Sequence, residues 1–198
     1  MRLLYLVFTC CLVSLISCNN SSNSSSSSTT DSTKTKPKPA SKKAESKLNE
    51  AGTTILMSVV TGYYNLKNAL VATKATDADS AAAKLIVIAD SLQSFLKKDA
   101  TNGTALKPYV DTIIKESKTI AGINDKSCEK QRASFETISN AVYGLLKVAN
   151  IKNAGVYHEY CPMAFNDKGA FWLSDDMEIR NPYFGQKMME CGEVKDSL

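Results

Sequence analysis

The feature that most restricts the fold is a set of four apolar stripes between residues 55 and 149. In each stripe the apolar residues recur at three- and four-residue steps, so they share one side of a helix with 3.6 residues per turn. The stripes are Ile55, Val59, Tyr63, Leu66 and Leu70; Leu85, Ile88, Leu92, Phe95 and Leu96; Val110, Ile113, Ile114, Ser117 and Ala121; and Phe135, Ile138, Val142, Leu145, Leu146 and Ala149. We therefore predict four amphipathic helices that bury these residues in a common core.

Short breaks separate the four stripes. Residues 76–79 (TDAD) can cap the second helix, Asn102-Gly103 precedes the third, and residues 122–125 precede the fourth. Because short connections make sequential helices antiparallel neighbours, we predict that residues 48–153 form an up-and-down four-helix bundle. The fold class is thus mainly α.

The sequence pattern changes after residue 153. Two apolar segments, residues 156–165 and 170–173, flank the turn at residues 166–169, which is typical of a β-hairpin. Residues 180–185 form a second turn-rich element with aromatic side chains to bury. We predict that residues 154–198 form a small extension, a β-hairpin with further turns, that contains Cys and Met residues and packs on the bundle.

The N-terminus predicts export and lipid attachment. A basic start leads into an apolar run over residues 3–16 and then into Leu15-Ile16-Ser17-Cys18. This is the pattern of a lipoprotein signal peptide over residues 1–17, in which Cys18 accepts the lipid. An ordinary signal peptide with a chance cysteine is the alternative. We expect the chain to lie in the cell envelope, anchored in a membrane through Cys18 and facing the periplasm.

A Ser-, Lys- and Pro-rich segment follows Cys18. Residues 18–47 contain too little apolar surface to offset the entropy of ordering them, so they are predicted to be a disordered stalk. The formal net charge of the whole chain is +4, but from residue 48 onward 17 basic residues face 18 acidic ones. The folded part is therefore close to neutral, and no nucleic-acid partner is predicted.

Sulfur ligands are concentrated near the C-terminus. The tripeptides Cys161-Pro162-Met163 and Met189-Glu190-Cys191 each offer a thiol and a thioether, because residues two apart in an extended chain face the same way. Met188 adds a further thioether, and His158 lies three residues before Cys161. Thiolates and thioethers are soft ligands that select Cu(I), so these residues are candidate copper ligands, with His158 as an auxiliary one.

A disulfide is the competing interpretation of the same residues. In an oxidising compartment two neighbouring cysteines normally pair, and a bond between Cys161 and Cys191 would stabilise the extension by about 3–4 kcal/mol on the chain-entropy model. Met188 and Met189 would then fill gaps in the core. Besides Cys18, the predicted mature chain keeps a third cysteine, Cys128. It is either a buried free thiol or a disulfide partner for Cys161 or Cys191.

Motifs of the common catalytic sites are missing from the sequence. It contains no C-x-x-C-H, G-x-S-x-G or H-E-x-x-H motif and no glycine-rich phosphate loop. His158 and Cys161 have no third group to orient them as a nucleophile and its base. We therefore expect a protein that is not an enzyme.

Two parts of the sequence, the C-terminal extension and the fourth helix, contain a recognisable set of residues. They are Tyr160-Cys161-Pro162-Met163-Ala164, Gly169, Trp172-Leu173-Ser174, residues 179–185, Met188 and Cys191-Gly192, and, in the fourth helix, Gln131-Arg132, Phe135 and Ser139. In these residues the chain resembles the domain-of-unknown-function family DUF3347. The family is common in lipoproteins of Bacteroidetes and is also fused to periplasmic adaptor subunits of heavy-metal efflux pumps. The resemblance thus implies a context of soft-metal handling beside an efflux system. The Cys-Pro-Met tripeptide also resembles small heavy-metal-binding modules, but Ala164 stands where those modules have a histidine.

Two functions follow from these patterns. The first is a periplasm-facing lipoprotein that binds Cu(I) or a similar soft ion and buffers it or passes it to an efflux adaptor. The second is a non-catalytic interaction module of the cell envelope, with Cys161 and Cys191 in a structural disulfide and a surface that binds a partner protein.

Overall fold

The computed structural model describes residues 43–198 of the chain. Within this range four long helices precede a three-stranded antiparallel sheet. The helices are α1 (Glu50–Val71), α2 (Ala75–Leu96), α3 (Gly103–Ala121) and α4 (Glu129–Val148). Each helix packs against the next one in sequence, and α1 also contacts α4. This arrangement confirms the mainly helical fold, whereas the predicted signal peptide, Cys18 and residues 19–42 of the stalk lie outside the described residues.

The first described residues already contact the bundle. Glu45 and Lys152 exchange two backbone hydrogen bonds of 3.0 and 2.8 Å, and the backbone N–H of Lys47 donates to the carbonyl of Ala149 at 2.8 Å. Helix α1 begins after Asn49, whose side chain accepts a hydrogen bond from the backbone N–H of Gly52 at 2.9 Å. The chain therefore enters the fold beside the C-terminal end of α4.

Helix α2 begins earlier than its polar cap signal suggested. Its first residue is Ala75, so the predicted cap at residues 76–79 lies inside the first turn. Asp77 is stabilising there, because a carboxylate near a helix N-terminus interacts favourably with the helix dipole. Helix α4 begins after Cys128, which has a left-handed backbone (φ 64°).

Most of the residues in the four stripes are buried in the core. The exceptions are Ile55, Ile88 and Phe95, which are half-buried, and Ala121, which is exposed at the end of α3. Leu56 does not belong to the stripe of α1 but is fully buried. Its burial follows from the neighbours of α1, which packs against α2 on one side and contacts α4 and the C-terminal extension on the other. The buried surface of α1 is therefore wider than the single stripe of residues that the sequence predicted.

The sheet consists of β1 (Tyr157–Cys161), β2 (Ala170–Ser174) and β3 (Glu193–Ser197). Strand β1 lies in the centre and pairs with both β2 and β3, so the strand order is β2–β1–β3. The hairpin of β1 and β2 matches the prediction, although β1 ends at Cys161 and not at residue 165. Strand β3 was not predicted, because four of its five residues are exposed and its sequence lacks the apolar alternation of a half-buried strand.

A chain of hydroxyl groups joins the sheet to the bundle. The backbone N–H of Leu173 in β2 donates to the Tyr63 hydroxyl at 3.0 Å. Ser139 in α4 donates to the carbonyl of Phe135 at 2.9 Å, so the Tyr63 hydroxyl is the donor in its 2.8 Å bond to Ser139 Oγ. The Tyr63 ring also stacks on Phe135, with 5.1 Å between the ring centroids. One fully buried tyrosine thus links α1, α4 and the outer edge of β2.

We predict that Tyr63→Phe lowers the free energy of unfolding by about 1–3 kcal/mol, because the buried N–H of Leu173 would lose its acceptor. Chemical denaturation followed by circular dichroism measures the change. Tyr64→Phe is the matched control. That neighbouring hydroxyl is only half-buried and donates a single bond, to the carbonyl of Ser174 at 3.2 Å, so a loss of about 0.5–1.5 kcal/mol is expected. Equal losses in the two variants would contradict the role assigned to Tyr63.

Candidate functional site

Cys161 and Cys191 are bonded as a disulfide in the structure. Cys161 is the last residue of β1 and is fully buried, whereas Cys191 is half-buried just before β3. Their Cα atoms are 5.7 Å apart, which is the usual separation for a disulfide. The bond fastens the end of the segment between β2 and β3 to the central strand of the sheet. In this state the two sulfurs are bonded to each other and not free to act as thiolates.

Asn181 organises the segment that the disulfide closes. Its side-chain oxygen accepts hydrogen bonds from the backbone N–H groups of Tyr183 at 2.8 Å and Phe184 at 3.2 Å. Its side-chain amide donates to the carbonyl of Cys191, and its backbone N–H donates to the carbonyl of Met189, both at 2.7 Å. Asn181 is fully buried, so these bonds set the path of the turn and hold it against residues 189–191, just before β3.

Arg132 attaches the same turn to the bundle. Its guanidinium donates to the carbonyls of Pro182 (2.8 Å), Ser127 (3.0 Å) and Leu70 (3.2 Å) and to the Thr73 hydroxyl (3.0 Å). The side chain is 5% exposed, and burial lowers the pKa of Arg132. Four oxygen acceptors from α1, the start of α4 and the C-terminal segment therefore compensate for its desolvation.

Gly185 makes the close approach of this turn possible. Its φ is +56°, and a Cβ atom at this position would lie 2.5 Å from Thr73 Oγ1 and 3.0 Å from the guanidinium of Arg132. A larger residue would therefore face both a strained backbone and a collision with α1. The turn at residues 181–185 can lie directly on the bundle only with glycine here.

A surface cleft of about 590 Å³ opens beside this turn. Met163, Phe165, Tyr183, Phe184 and Met188 provide its apolar lining. Charged side chains at its border are Glu129, Arg132, Asp167 and Lys187. We call this the methionine cleft. It brings together two of the predicted sulfur ligands, Met163 and Met188, and Met163 is 46% exposed.

One lip of the methionine cleft has an unusual backbone. Phe165, Asn166 and Asp167 have φ values of 54°, 58° and 64°, so three consecutive residues with side chains are left-handed. This backbone costs an L-residue such as Phe165 about 1–2 kcal/mol relative to a right-handed one, whereas Asn and Asp tolerate it better. Strain of this kind persists only where the surrounding structure imposes it, and it is frequent at binding sites. The turn Ala164–Asp167 therefore marks this cleft as the candidate site.

The remaining predicted ligands lie elsewhere. His158 points to the opposite face of β1 from Cys161, because side chains three residues apart on a strand alternate in direction. Its ring is stacked between Tyr143 and Phe171, with centroids at 3.8 and 4.5 Å, and burial lowers its pKa. Met189 lines a different cleft, together with Lys67 and Asp175. The structure thus groups Met163 with Met188 and separates both His158 and Met189 from them.

Cys128 is a free thiol at the start of α4. It is fully buried, and burial raises the pKa of its thiol, so the thiolate is disfavoured at neutral pH. This placement suits a core residue better than a reactive one.

Two further findings concern residues 43–198 as a whole. This part of the chain holds no group of three or more His, Cys, Asp or Glu side chains arranged to bind a metal ion. Of the helices described, none combines the length and the apolar character needed to cross a membrane.

Comparison with known proteins identifies one matching protein family. The chain matches the model of the family "Protein of unknown function (DUF3347)" over residues 59–154, from the middle of α1 to just beyond α4. No curated protein and no solved structure matches the chain. The matched region contains Gln131, Arg132, Phe135 and Ser139, all of which are buried and join α4 to the rest of the fold. This match confirms, for residues 59–154, the resemblance to the family of proteins of unknown function DUF3347.

Proposed function

We propose that this protein is a lipid-anchored, non-catalytic interaction module of the cell envelope, and that the methionine cleft binds a segment of a partner protein. The observation that carries the proposal is the strained turn at residues 165–167, which forms a lip of the cleft on a disulfide-bonded extension. The Cys161–Cys191 bond favours this function over copper binding, because the two bonded sulfurs are not available to Cu(I) as thiolates.

The chemistry of the methionine cleft suits an apolar segment. Thioether and aromatic side chains adapt to the shapes of different apolar groups, and a volume of about 590 Å³ accommodates a few side chains. Glu129, Asp167 and Lys187 add charges of both signs at the border, which can fix the register of a bound segment. The partner we propose is the periplasmic adaptor subunit of a heavy-metal efflux pump, as the family resemblance implies.

We predict a position-specific cross-link between the two proteins. A photo-reactive benzophenone amino acid at position 163 of the full chain, in cells that also produce the adaptor, should form an adduct that contains adaptor peptides by mass spectrometry. Phe184→Ala in the same chain should weaken the affinity for the adaptor about tenfold. The loss of one aromatic contact of ~1.4 kcal/mol corresponds to a factor of ten in the dissociation constant.

Position 87 provides the matched control for the cross-link. Val87 on α2 is 66% exposed and apolar but does not line the methionine cleft. The same photo-reactive residue there should give no adaptor adduct. Equal yields at positions 87 and 163, or no adduct at either position, would contradict the proposed docking surface.

The anchor is tested separately. Cys18→Ser in the full chain should abolish the incorporation of labelled fatty acid and should move the protein from the membrane fraction to the soluble fraction, because acyl chains on Cys18 provide the binding energy. Fractionation followed by immunoblotting measures the shift. A Cys18→Ser variant that still takes up the label would exclude Cys18 as the lipid-accepting residue.

A second candidate function is the binding of a soft ion, with Cu(I) preferred. The observation that favours it is the presence of Met163 and Met188 in one cleft of an extension that also holds Cys161 and Cys191. Thioethers remain ligands in the oxidised protein, and reduction of the disulfide would add two thiolates. Met189 and His158 are auxiliary at most in this arrangement.

We predict for this second function that reduction creates a copper site. Titration of the purified chain against a competing Cu(I) chelator should show one tightly bound ion only after reduction, and the ion should be lost in the Cys161→Ser, Cys191→Ser double variant. Met163→Leu should weaken binding, whereas Met189→Leu, on the other cleft, should not. If affinity is unchanged in the double variant, copper binding through these thiolates is excluded.

A further inference from the structure

A buried glutamate without a partner lies between the sheet and the bundle. Glu159 in β1 is fully buried, and among the protein groups of residues 43–198 neither of its carboxylate oxygens has a hydrogen-bond partner. Its cross-strand neighbour in β2 is Trp172, whose buried indole N–H lies close enough to act on the carboxyl group but forms no hydrogen bond of normal geometry with it. A carboxylate in such a place would normally incur a large desolvation cost.

The backbone at Glu159 is irregular. The register between β1 and β3 shifts between His158 and Glu159, which is a β-bulge or a similar irregularity. Bulges redirect side chains and are frequent beside functional sites. The pairing of β1 with β2 is continuous here, so Glu159 stays on the same face of the sheet as Trp172 and, two residues further along β2, Ser174.

Lys67 in α1 reaches this face of the sheet from the bundle. Its ammonium donates to Ser174 Oγ at 3.0 Å and lies 3.8 Å from an Asp175 carboxylate oxygen. The Lys67 side chain is only 3% exposed, whereas that of Asp175 is 60% exposed. The ammonium therefore interacts electrostatically with an accessible carboxylate, Asp175, and with a buried one, Glu159. In the described structure it is paired with the accessible one, and Glu159 has no ion pair.

The surroundings favour the neutral form of Glu159. Burial raises its pKa to about 7, against the opposing effects of Lys67 and the Trp172 indole, and Asp176 and Asp175 raise it further. From α1, Tyr63 and Tyr64 also face the carboxyl group. Burial lowers the pKa of the Lys67 amine, and the positive charge of Arg180 lowers it further.

We propose that Glu159 is a proton-binding switch: neutral Glu159 leaves the Lys67 ammonium with Ser174 and Asp175, and ionised Glu159 draws the ammonium inward. The second cleft, which Lys67, Asp175, Arg180 and Met189 line, then loses a positive charge, and Asp175 loses its partner. Proton release thus makes this surface more acidic while the buried charge gains a counter-ion. The switch is independent of the methionine cleft.

Trp172 provides the measurement, because it is the only tryptophan in the chain and faces Glu159 across the strand pair. The fluorescence of the folded protein should show one transition with a midpoint near pH 7 as the neighbouring carboxyl group ionises. Glu159→Gln should abolish the transition. Lys67→Met should move the midpoint to higher pH, because Lys67 stabilises the carboxylate.

His158 is the control for this titration, since it is the only histidine and its imidazole titrates in a nearby range. It lies on the other face of β1, so His158→Gln should keep the transition. A transition that persists in Glu159→Gln, follows His158, or is missing from the wild-type protein between about pH 5 and 9 overturns the proposal.

Stability supplies an independent readout if one variant folds poorly. The raised pKa means that the folded state keeps the proton of Glu159 between about pH 4.5 and 7, whereas the unfolded state releases it. The free energy of unfolding of the wild type should therefore fall as pH rises through this window and level off above it. Glu159→Gln should match the wild type near pH 4 and have a higher denaturation midpoint near pH 8. Equal midpoints at both pH values would count against the switch.

Discussion

The attachment of the sheet to the bundle depends on the Tyr63 hydroxyl. In a small domain, the free edge of a buried strand leaves backbone groups that must find partners without water. Here the N–H of Leu173 in β2 bonds to Tyr63, and the carbonyl of Phe171 accepts a hydrogen bond from the Tyr183 hydroxyl. Two tyrosines thus replace the missing neighbouring strand. Because Tyr63 also bonds to Ser139, the same contact fixes the position of α1 relative to α4.

The C-terminal extension shares the apolar core of the bundle through Trp172, Leu173 and Tyr183, and polar contacts and one covalent bond fix the path of its turns. Asn181 closes the turn, Arg132 joins it to α1 and α4, and the Cys161–Cys191 disulfide fixes its far end. Each of these contacts binds a backbone group or fixes the path of the chain. A rigid extension of this kind can present a strained lip, such as residues 165–167, without letting it relax.

The sequence predicted the parts of the fold that depend on local periodicity. Four helices and the β1–β2 hairpin follow from apolar spacing, whereas β3 is too exposed and too polar to show such a pattern. The spacing of Cys161 and Cys191 allowed either a disulfide or a metal site, since both need only proximity. In the sequence, only the family resemblance singled out Arg132. Its role depends on carbonyls of residues far apart in the chain, which no local pattern reveals.

The point where the chain enters the fold and the methionine cleft lie at opposite ends of helix α4. Lys47 is bonded to Ala149 beside the C-terminal end of α4, whereas Glu129 and Arg132 of the methionine cleft belong to the N-terminal end of the same helix. Helix α4 has 20 residues, and at ~1.5 Å per residue the two ends are about 30 Å apart. With the proposed anchor at Cys18, the tether would leave from one pole of the bundle and the cleft would open at the other. The length of the bundle would then separate the binding surface from the point where the tether leaves.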